Sequence, residues 1–312
     1  MPDTGISFLE SAYDQISTIY EDAFRAHYQH VQRVLDGITK DLSPKSRVLD
    51  IGSGTGRPVT DHFASHGHIV TGVDISLGMV DLARKQVPKA QFIHSPMTMF
   101  EPPAGEKYDV VIASHSLYHI PLAQIRSMIL KFALWTKPGG IVVIGSSYRR
   151  QLLESHGYRF DSRGWAEGVS QDFLGHMFDG MTYGLETAWS GLLEQAGLQI
   201  VEIDRGEFTR DHEQHIDEPD RQFYFLARRG ANNPLFGPYP LPENGEQPIE
   251  SLGQGDTDAW TQLYTRLLPE HEVRAAISVF EATTAKQKIL CVGAGTKGRG
   301  GTSKGNCVLI QI

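Results

Sequence analysis

Arg47-Val-Leu-Asp-Ile-Gly-Ser-Gly-Thr-Gly-Arg57 is the stretch on which the fold turns. A short apolar run ends at Ile51, glycines at 52, 54 and 56 bend the chain, and Pro58 follows. Proline suits the first turn of a helix, where its fixed φ and missing N–H cost nothing. Glycines here let the backbone approach a ligand closely, because no Cβ intervenes. The dinucleotide fingerprint G-x-G-x-x-G puts a pyrophosphate on the helix N-terminus, but its third glycine position is Arg57 in this chain. The acid two residues before the first glycine, Asp50, repels a pyrophosphate and attracts a cation. Asp74 closes the next apolar run, 24 residues after Asp50. A carboxylate in that place accepts the hydroxyls of a ribose. The expected ligand is therefore a nucleoside carrying positive charge.

Outward from the loop, apolar runs at 48–51, 69–73, 92–93, 110–113 and 141–144 alternate with helical stretches at 57–66, 77–86 and 121–135. Apolar runs separated by helices indicate parallel strands buried on both faces. The fold class is α/β, a doubly wound open sheet, mostly parallel with a last antiparallel strand. Residues 7–40 repeat apolar side chains at three- and four-residue steps and predict a helical cap over 1–45. The cofactor-binding domain is expected over 46–229. Within it, 148–183 shows no clean period and is read as an inserted lid. A helix is predicted at 185–196, capped by Gly197, with strands at 198–203 and 222–227 separated by a charged loop at 204–221. Residues 230–312 form a proline-led connector, a helix at 257–285 and a glycine-rich tail expected to be flexible.

Composition narrows the function classes. The chain has 312 residues, 40% of them hydrophobic, two cysteines and a formal net charge of −8. Two cysteines exclude a disulfide framework. An acidic chain lacks the dominant basic face that neutralises nucleic-acid phosphates. The N-terminus has neither the basic region nor the apolar region of a secretory signal, and no window approaches a membrane span. A cytoplasmic protein is expected, monomer or homodimer, with a small-molecule substrate and neither nucleic acid nor membrane as partner.

The chain resembles the class I S-adenosylmethionine-dependent methyltransferases, in their small-molecule group. Four motifs carry the resemblance in order: Val48-Leu-Asp-Ile-Gly-Ser-Gly-Thr-Gly-Arg57, Val70-Thr-Gly-Val-Asp-Ile-Ser76, the segment 108–120 and the segment 136–144. The resemblance covers about 10–228 and implies a Rossmann-like fold, S-adenosylmethionine as cofactor, S-adenosylhomocysteine as product, and no metal. It implies that Asp50 and the loop of Gly52, Ser53, Gly54 and Gly56 hold the amino-acid end of the cofactor. Asp74 would hold the ribose, Ile75 and the Met97 backbone the adenine, Ser114 and His115 the methionine part, and Tyr20 the cover, with Met79 a further cofactor-binding residue. Pro96 stands where many relatives carry an acid for the adenine amine.

His119 and His115 are the candidate catalytic groups, since they follow the fourth apolar run at the ligand end of the sheet. Tyr118 and, from the insertion, Trp165, Phe173, His176, Met177 and Tyr183 are the candidate substrate pocket, because pockets combine apolar bulk with a few polar groups. Phe178 belongs to the same aromatic stretch. Arg149, Arg150 and Arg159 are candidates for carboxylate recognition. Asp211-His-Glu-Gln-His215 lacks a helical metal-ligand spacing and reads as a solvated loop. The expected activity is methyl transfer to a small molecule, at a carboxylate or hydroxyl oxygen. Three alternatives remain: transfer to nitrogen, cofactor binding without turnover by a regulatory or scaffold protein, and an NAD(P)-dependent oxidoreductase. The last is weakened by Arg57 and Asp50.

Overall fold

Seven strands form one sheet in the order β3-β2-β1-β4-β5-β9-β8. The computed structural model describes residues 4–208, 220–230, 275–281, 288–294 and 307–311. β1 (Arg47–Ile51), β2 (Ile69–Asp74), β3 (Gln91–His94), β4 (Tyr108–Ser114) and β5 (Thr136–Tyr148) run parallel. β9 (Asp220–Arg229) lies antiparallel between β5 and β8 (Leu198–Phe208). The strand order reverses at β1, whose neighbours are β2 and β4. Open α/β sheets bind ligands at such a point, beyond the carboxyl ends of the strands.

The helices between the strands are α4 (Val59–Ser65), α5 (Leu77–Gln86), α6 (Leu122–Trp135) and α8 (Glu186–Gln195). Local chemistry sets their ends. Ser76 caps α5, its Oγ accepting from the Met79 N–H at 3.1 Å. After α8, Gly197 takes φ 75°, the left-handed turn that stops a helix. One face of the sheet is covered by α3 (Tyr28–Lys40), which buries Val31, Val34, Leu35 and Ile38 at helical spacing.

Three regions differ from the expectations above. The predicted cap helix is broken into α1 (Thr4–Ile16), α2 (Tyr20–Phe24), a single 3-10 turn and α3. At the break, Ser17 Oγ donates to the Asp14 carbonyl at 3.0 Å, and Ser17, Thr18 and Ile19 are poor helix formers. The insertion is regular: α7 (Arg150–Ser155) precedes an antiparallel hairpin of β6 (Trp165–Phe173) and β7 (His176–Gly184). Register shifts at 166–171 destroy the alternation that marks a strand, and the turn is Leu174-Gly175 rather than Asn-Gly. The charged loop expected over 204–221 is strand at both ends, where β8 reaches Phe208 and β9 begins at Asp220; residues 209–219 lie outside the described residues.

Residues 1–234 and 235–312 form separate compact units. In the second, β10 (Ala275–Glu281), β11 (Lys288–Ala294) and β12 (Cys307–Gln311) make an antiparallel sheet. The predicted helix at 257–285 is thus a strand over 275–281, where Ile277, Val279 and Phe280 favour extended backbone. The rest of that helix, and the tail at 295–306, lie outside the described residues. Among the described residues, no helix is long and apolar enough to cross a membrane.

Candidate functional site

The glycine loop is tied to the neighbouring strand by its own backbone. The Gly52 and Ser53 N–H groups both donate to the Val73 carbonyl, at 2.8 and 3.0 Å. Gly52 has φ 73°, and a Cβ there would sit 2.3 Å from Ser116 Cβ, so only glycine fits. The next two N–H groups that matter fix Asp74. Gly54 N–H donates to its Oδ2 at 2.8 Å and Ser76 N–H to its Oδ1 at 2.9 Å. Burial pushes the Asp74 carboxyl above its ordinary pKa, against the pull of those backbone donors. Each carboxylate oxygen has more than one acceptor site, so both can still receive a ligand hydroxyl.

Asp74 stands on the wall of an outer cavity of about 780 Å³, a volume that includes its open mouth. Gly52, Gly54, Ile75 and Met79 share that wall; Met97 closes it from beyond β3, and Ser114 and His115 from the end of β4. Ser114 Oγ is 2.7 Å from the Tyr224 hydroxyl, and His115 has φ 54°. Tyr13 and Tyr20 cover the cavity from the N-terminal helices. That cover is anchored by Asp14, whose Oδ1 accepts from Ser76 Oγ at 2.5 Å and from Gly78 N–H at 2.8 Å. Sequence reasoning missed Asp14, along with Thr98 and Gln124 on the wall. Each is a lone polar residue with no motif around it.

Three expected cofactor residues do not line this cavity. Asp50 is 1% exposed beneath the loop and accepts from Thr60 Oγ1 at 2.7 Å. Burial first, and the nearby charge of Asp74 to a lesser degree, push its carboxyl up to about 7. Gly56 faces the core: a Cβ there would meet Phe92 Cζ at 3.0 Å and Val87 Cγ2 at 3.2 Å. Ser53 is buried with its Oγ unpartnered.

A second, inner cavity of about 470 Å³ adjoins the first, with Tyr13 and His119 lining both. Tyr13 Oη and His119 Nε2 share a hydrogen bond of 2.6 Å. Burial pushes the imidazole down to about 3 and the Tyr13 phenol well up, so both are neutral near pH 7. Tyr118, Phe173 and Tyr183 line the inner cavity, with Phe178 beside them. Tyr118 and Tyr183 stack at 5.7 Å with planes 10° apart.

The other predicted pocket residues fall elsewhere, for a reason rooted in the hairpin. Alternate side chains on a strand face opposite sides. Phe178 is buried toward the cavity while its neighbour Met177 is 50% exposed. His176, at the hairpin turn, is off the wall as well. Trp165 packs instead on Trp189 of α8, with ring centroids 5.0 Å apart. Of the three arginines, Arg149 lines the inner cavity. Arg150 pairs with Glu154, and Arg159 donates to backbone carbonyls of 154 and 158. Gln171 and Gln222 on its wall were not anticipated, since amides on strands carry no sequence signal. Among the described residues no group of three or more His, Cys, Asp or Glu could hold a metal ion. The 211–215 stretch lies outside them.

Comparison with known proteins gives a consistent result. A methyltransferase-domain family model matches residues 24–203, more than half of the chain. Trans-aconitate 2-methyltransferase of Paracidovorax citrulli is 33% identical over 112 residues, which span 35% of this chain and 42% of that protein. An uncharacterised methyltransferase of Synechocystis is 32% identical over 168 residues, 51% of this chain and 70% of that protein. The chain thus spans about half the length of the curated relatives it matches, somewhat less for the first and more for the second. Magnesium protoporphyrin IX methyltransferase of Synechocystis, solved with bound S-adenosylmethionine, shares the fold. Its TM-score is 0.52 at 18% identity, over 73% of this chain and 98% of that one.

Proposed function

The chain belongs to the methyltransferase-domain family, and from that premise we propose that it transfers a methyl group from S-adenosylmethionine to an oxygen of a small acceptor. The observation that carries this reading is Asp74, held by two backbone N–H groups on the wall of a cavity at the switch point of the sheet. That placement suits a ribose diol. The cradle fits in other respects too: Gly52 leaves room that any side chain would fill, and Ile75, Met79 and Met97 offer apolar walls to a flat base. The solved methyltransferase of similar fold carries the same cofactor.

When bound, the sulfonium supplies an activated methyl group whose C–S bonding pair leaves on sulfur. The protein's part is then to bind, to exclude water and to align the acceptor oxygen for in-line attack. In this reading the cofactor occupies the outer cavity and the acceptor the inner one, with Tyr13 and His119 bordering both. His119 is a weak base in so buried a place and serves to hold Tyr13 rather than to take a proton. An acceptor that arrives without a proton to lose, such as a carboxylate, suits that environment best. A hydroxyl acceptor would release its proton to solvent.

Incubation with methyl-labelled S-adenosylmethionine and a fractionated metabolite extract tests the reading. Label in a small-molecule fraction, released by ester hydrolysis, is the expected result. Tight cofactor binding with no transfer to any fraction would favour a binding protein. Thermal stabilisation by NADH but not by S-adenosylhomocysteine would overturn the reading altogether.

A further inference from the structure

We propose that the inner cavity takes a single aromatic ring bearing a hydrogen-bond donor, and that this donor meets Gln222 Oε1. This rests on and deepens the reading above, in which the methyl acceptor occupies the inner cavity: the ring carries the accepting oxygen.

Two independent observations lead there. The first is the shape and chemistry of the walls. Tyr118 and Tyr183 stack nearly parallel and present a flat surface. Phe178 lies 5.3 Å from the Tyr13 ring and 6.4 Å from Phe173, so aromatic rings border the space on several sides. Rings packed this way favour a flat guest, in stacked or edge contact, over a branched aliphatic one. Among the described residues no carboxylate lines the cavity.

The second observation is Gln222. It is only 3% exposed, on β9, and lines the inner cavity. Its Nε2 lies 2.6 Å from His27 Nδ1, which leaves the amide oxygen over, and Oε1 has no hydrogen-bond partner. The other amide on the wall does not help, because Gln171 spends its oxygen on the Tyr183 hydroxyl at 2.7 Å. A buried acceptor without a donor is costly, and a site containing one discriminates in favour of ligands that satisfy it. Phenolic hydroxyls and ring N–H groups are donors of that kind. Ethers and plain rings are not.

Matched ligand pairs test the inference by calorimetry, on the full chain with and without S-adenosylhomocysteine. The pairs are phenol with anisole and 4-hydroxybenzoate with benzoate; cyclohexanol is the non-aromatic control. Phenol and 4-hydroxybenzoate are expected to bind several-fold to about tenfold more tightly than their partners, the range of one hydrogen bond. In Gln222→Leu that preference should vanish. Met181→Trp, which fills the inner cavity, should abolish ring binding while affinity for S-adenosylhomocysteine, the check on folding, is retained. Equal binding within each pair would overturn the inference and mark a water as the partner of Oε1. Cyclohexanol equal to phenol, or no ring bound in either state, would overturn it too. The two readings fail separately: loss of S-adenosylhomocysteine binding strikes the cofactor assignment, and loss of donor preference strikes only this one.

Discussion

The two cavities meet at one pair of side chains but are built on different principles. The floor of the outer cavity is held by backbone, under walls of side chains. Its key groups are the N–H donors of Gly52, Ser53, Gly54 and Ser76, gathered where two adjacent strands end. The inner cavity is made by side chains from α1, the segment after β4, the hairpin and β9. Backbone geometry of the first kind demands particular residues at particular positions. An aromatic cage of the second kind can be assembled from many sequences, provided that volume and patterning are kept.

Substitution at Gly52 should expose that difference most sharply. Gly52→Ala combines a left-handed φ with a Cβ 2.3 Å from Ser116 Cβ. The strain and the clash together cost roughly 2–6 kcal/mol. The expected outcome is a large drop in melting temperature and no measurable binding of S-adenosylhomocysteine. Phe178→Leu, a fully buried change in the inner cavity, should cost about 1 kcal/mol and leave cofactor affinity alone. If the two variants behave alike, the contrast between backbone-built and side-chain-built sites is wrong for this protein.

Asp74→Asn probes the outer cavity without touching its backbone. The amide keeps one oxygen, for either the Gly54 or the Ser76 N–H, sets an NH2 donor against the other, and loses the charge. Affinity for S-adenosylhomocysteine should fall about 10- to 100-fold, the worth of one or two charge-assisted hydrogen bonds. Stability should fall too, by about 1–3 kcal/mol, since one backbone N–H loses its acceptor. Titration calorimetry at pH 7.5 measures it, and a loss under threefold would remove Asp74 from the ribose.

The same contrast explains what could be read in advance. The glycine spacing, the acid at Asp74 and the five apolar runs located β1 to β5, because each follows from a period or a turn that few other residues satisfy. The hairpin was not legible. Its bulged register between Ala166 and Gln171 erases the two-residue period, and a Leu174-Gly175 turn hides the reversal. Composition alone therefore points to Met177 and Trp165 as readily as to Phe173 and Tyr183, and of these only the last two line the inner cavity. Gln222 and Asp14 act through distant partners, His27 on one side and Ser76 on the other, and no local pattern announces such pairings.

At the boundary between the cavities, Tyr13→Phe removes the bond to His119 Nε2 and leaves neither ring nitrogen of that buried histidine with a partner. The cost should be about 1–3 kcal/mol by denaturant unfolding. The histidine also sets an acid limb. Its folded pKa, about 3, lies below that of an unfolded histidine, about 6.5. Its neutral burial therefore supports the fold fully above pH 6.5, and that support is lost as pH falls toward 3. His119→Asn should flatten this part of the stability profile. An unchanged slope between pH 6.5 and 4 would mean that the imidazole is already solvated.

The smallest effect on ligand binding is expected at Asp50, the residue with which the motif begins. Its carboxyl is off the wall, bonded to Thr60, and pushed up to about 7. An acid whose folded pKa exceeds the unfolded value of about 3.9 binds its proton more tightly in the folded state. Stability from this group is present below pH 4 and declines as pH rises toward 7. Asp50→Asn keeps an oxygen for Thr60 and has no proton to lose, so relative to the parent it should gain stability between pH 5 and 7.5. Affinity for S-adenosylhomocysteine should stay within about threefold, since solvent-free contact is what makes a single charge pair worth more. A drop of tenfold or more, accompanied by proton release on binding near pH 7, would show the opposite. The carboxylate would then reach the ligand's amino group through a rearranged loop, and the outer cavity would depend on a buried charge as well as on its backbone.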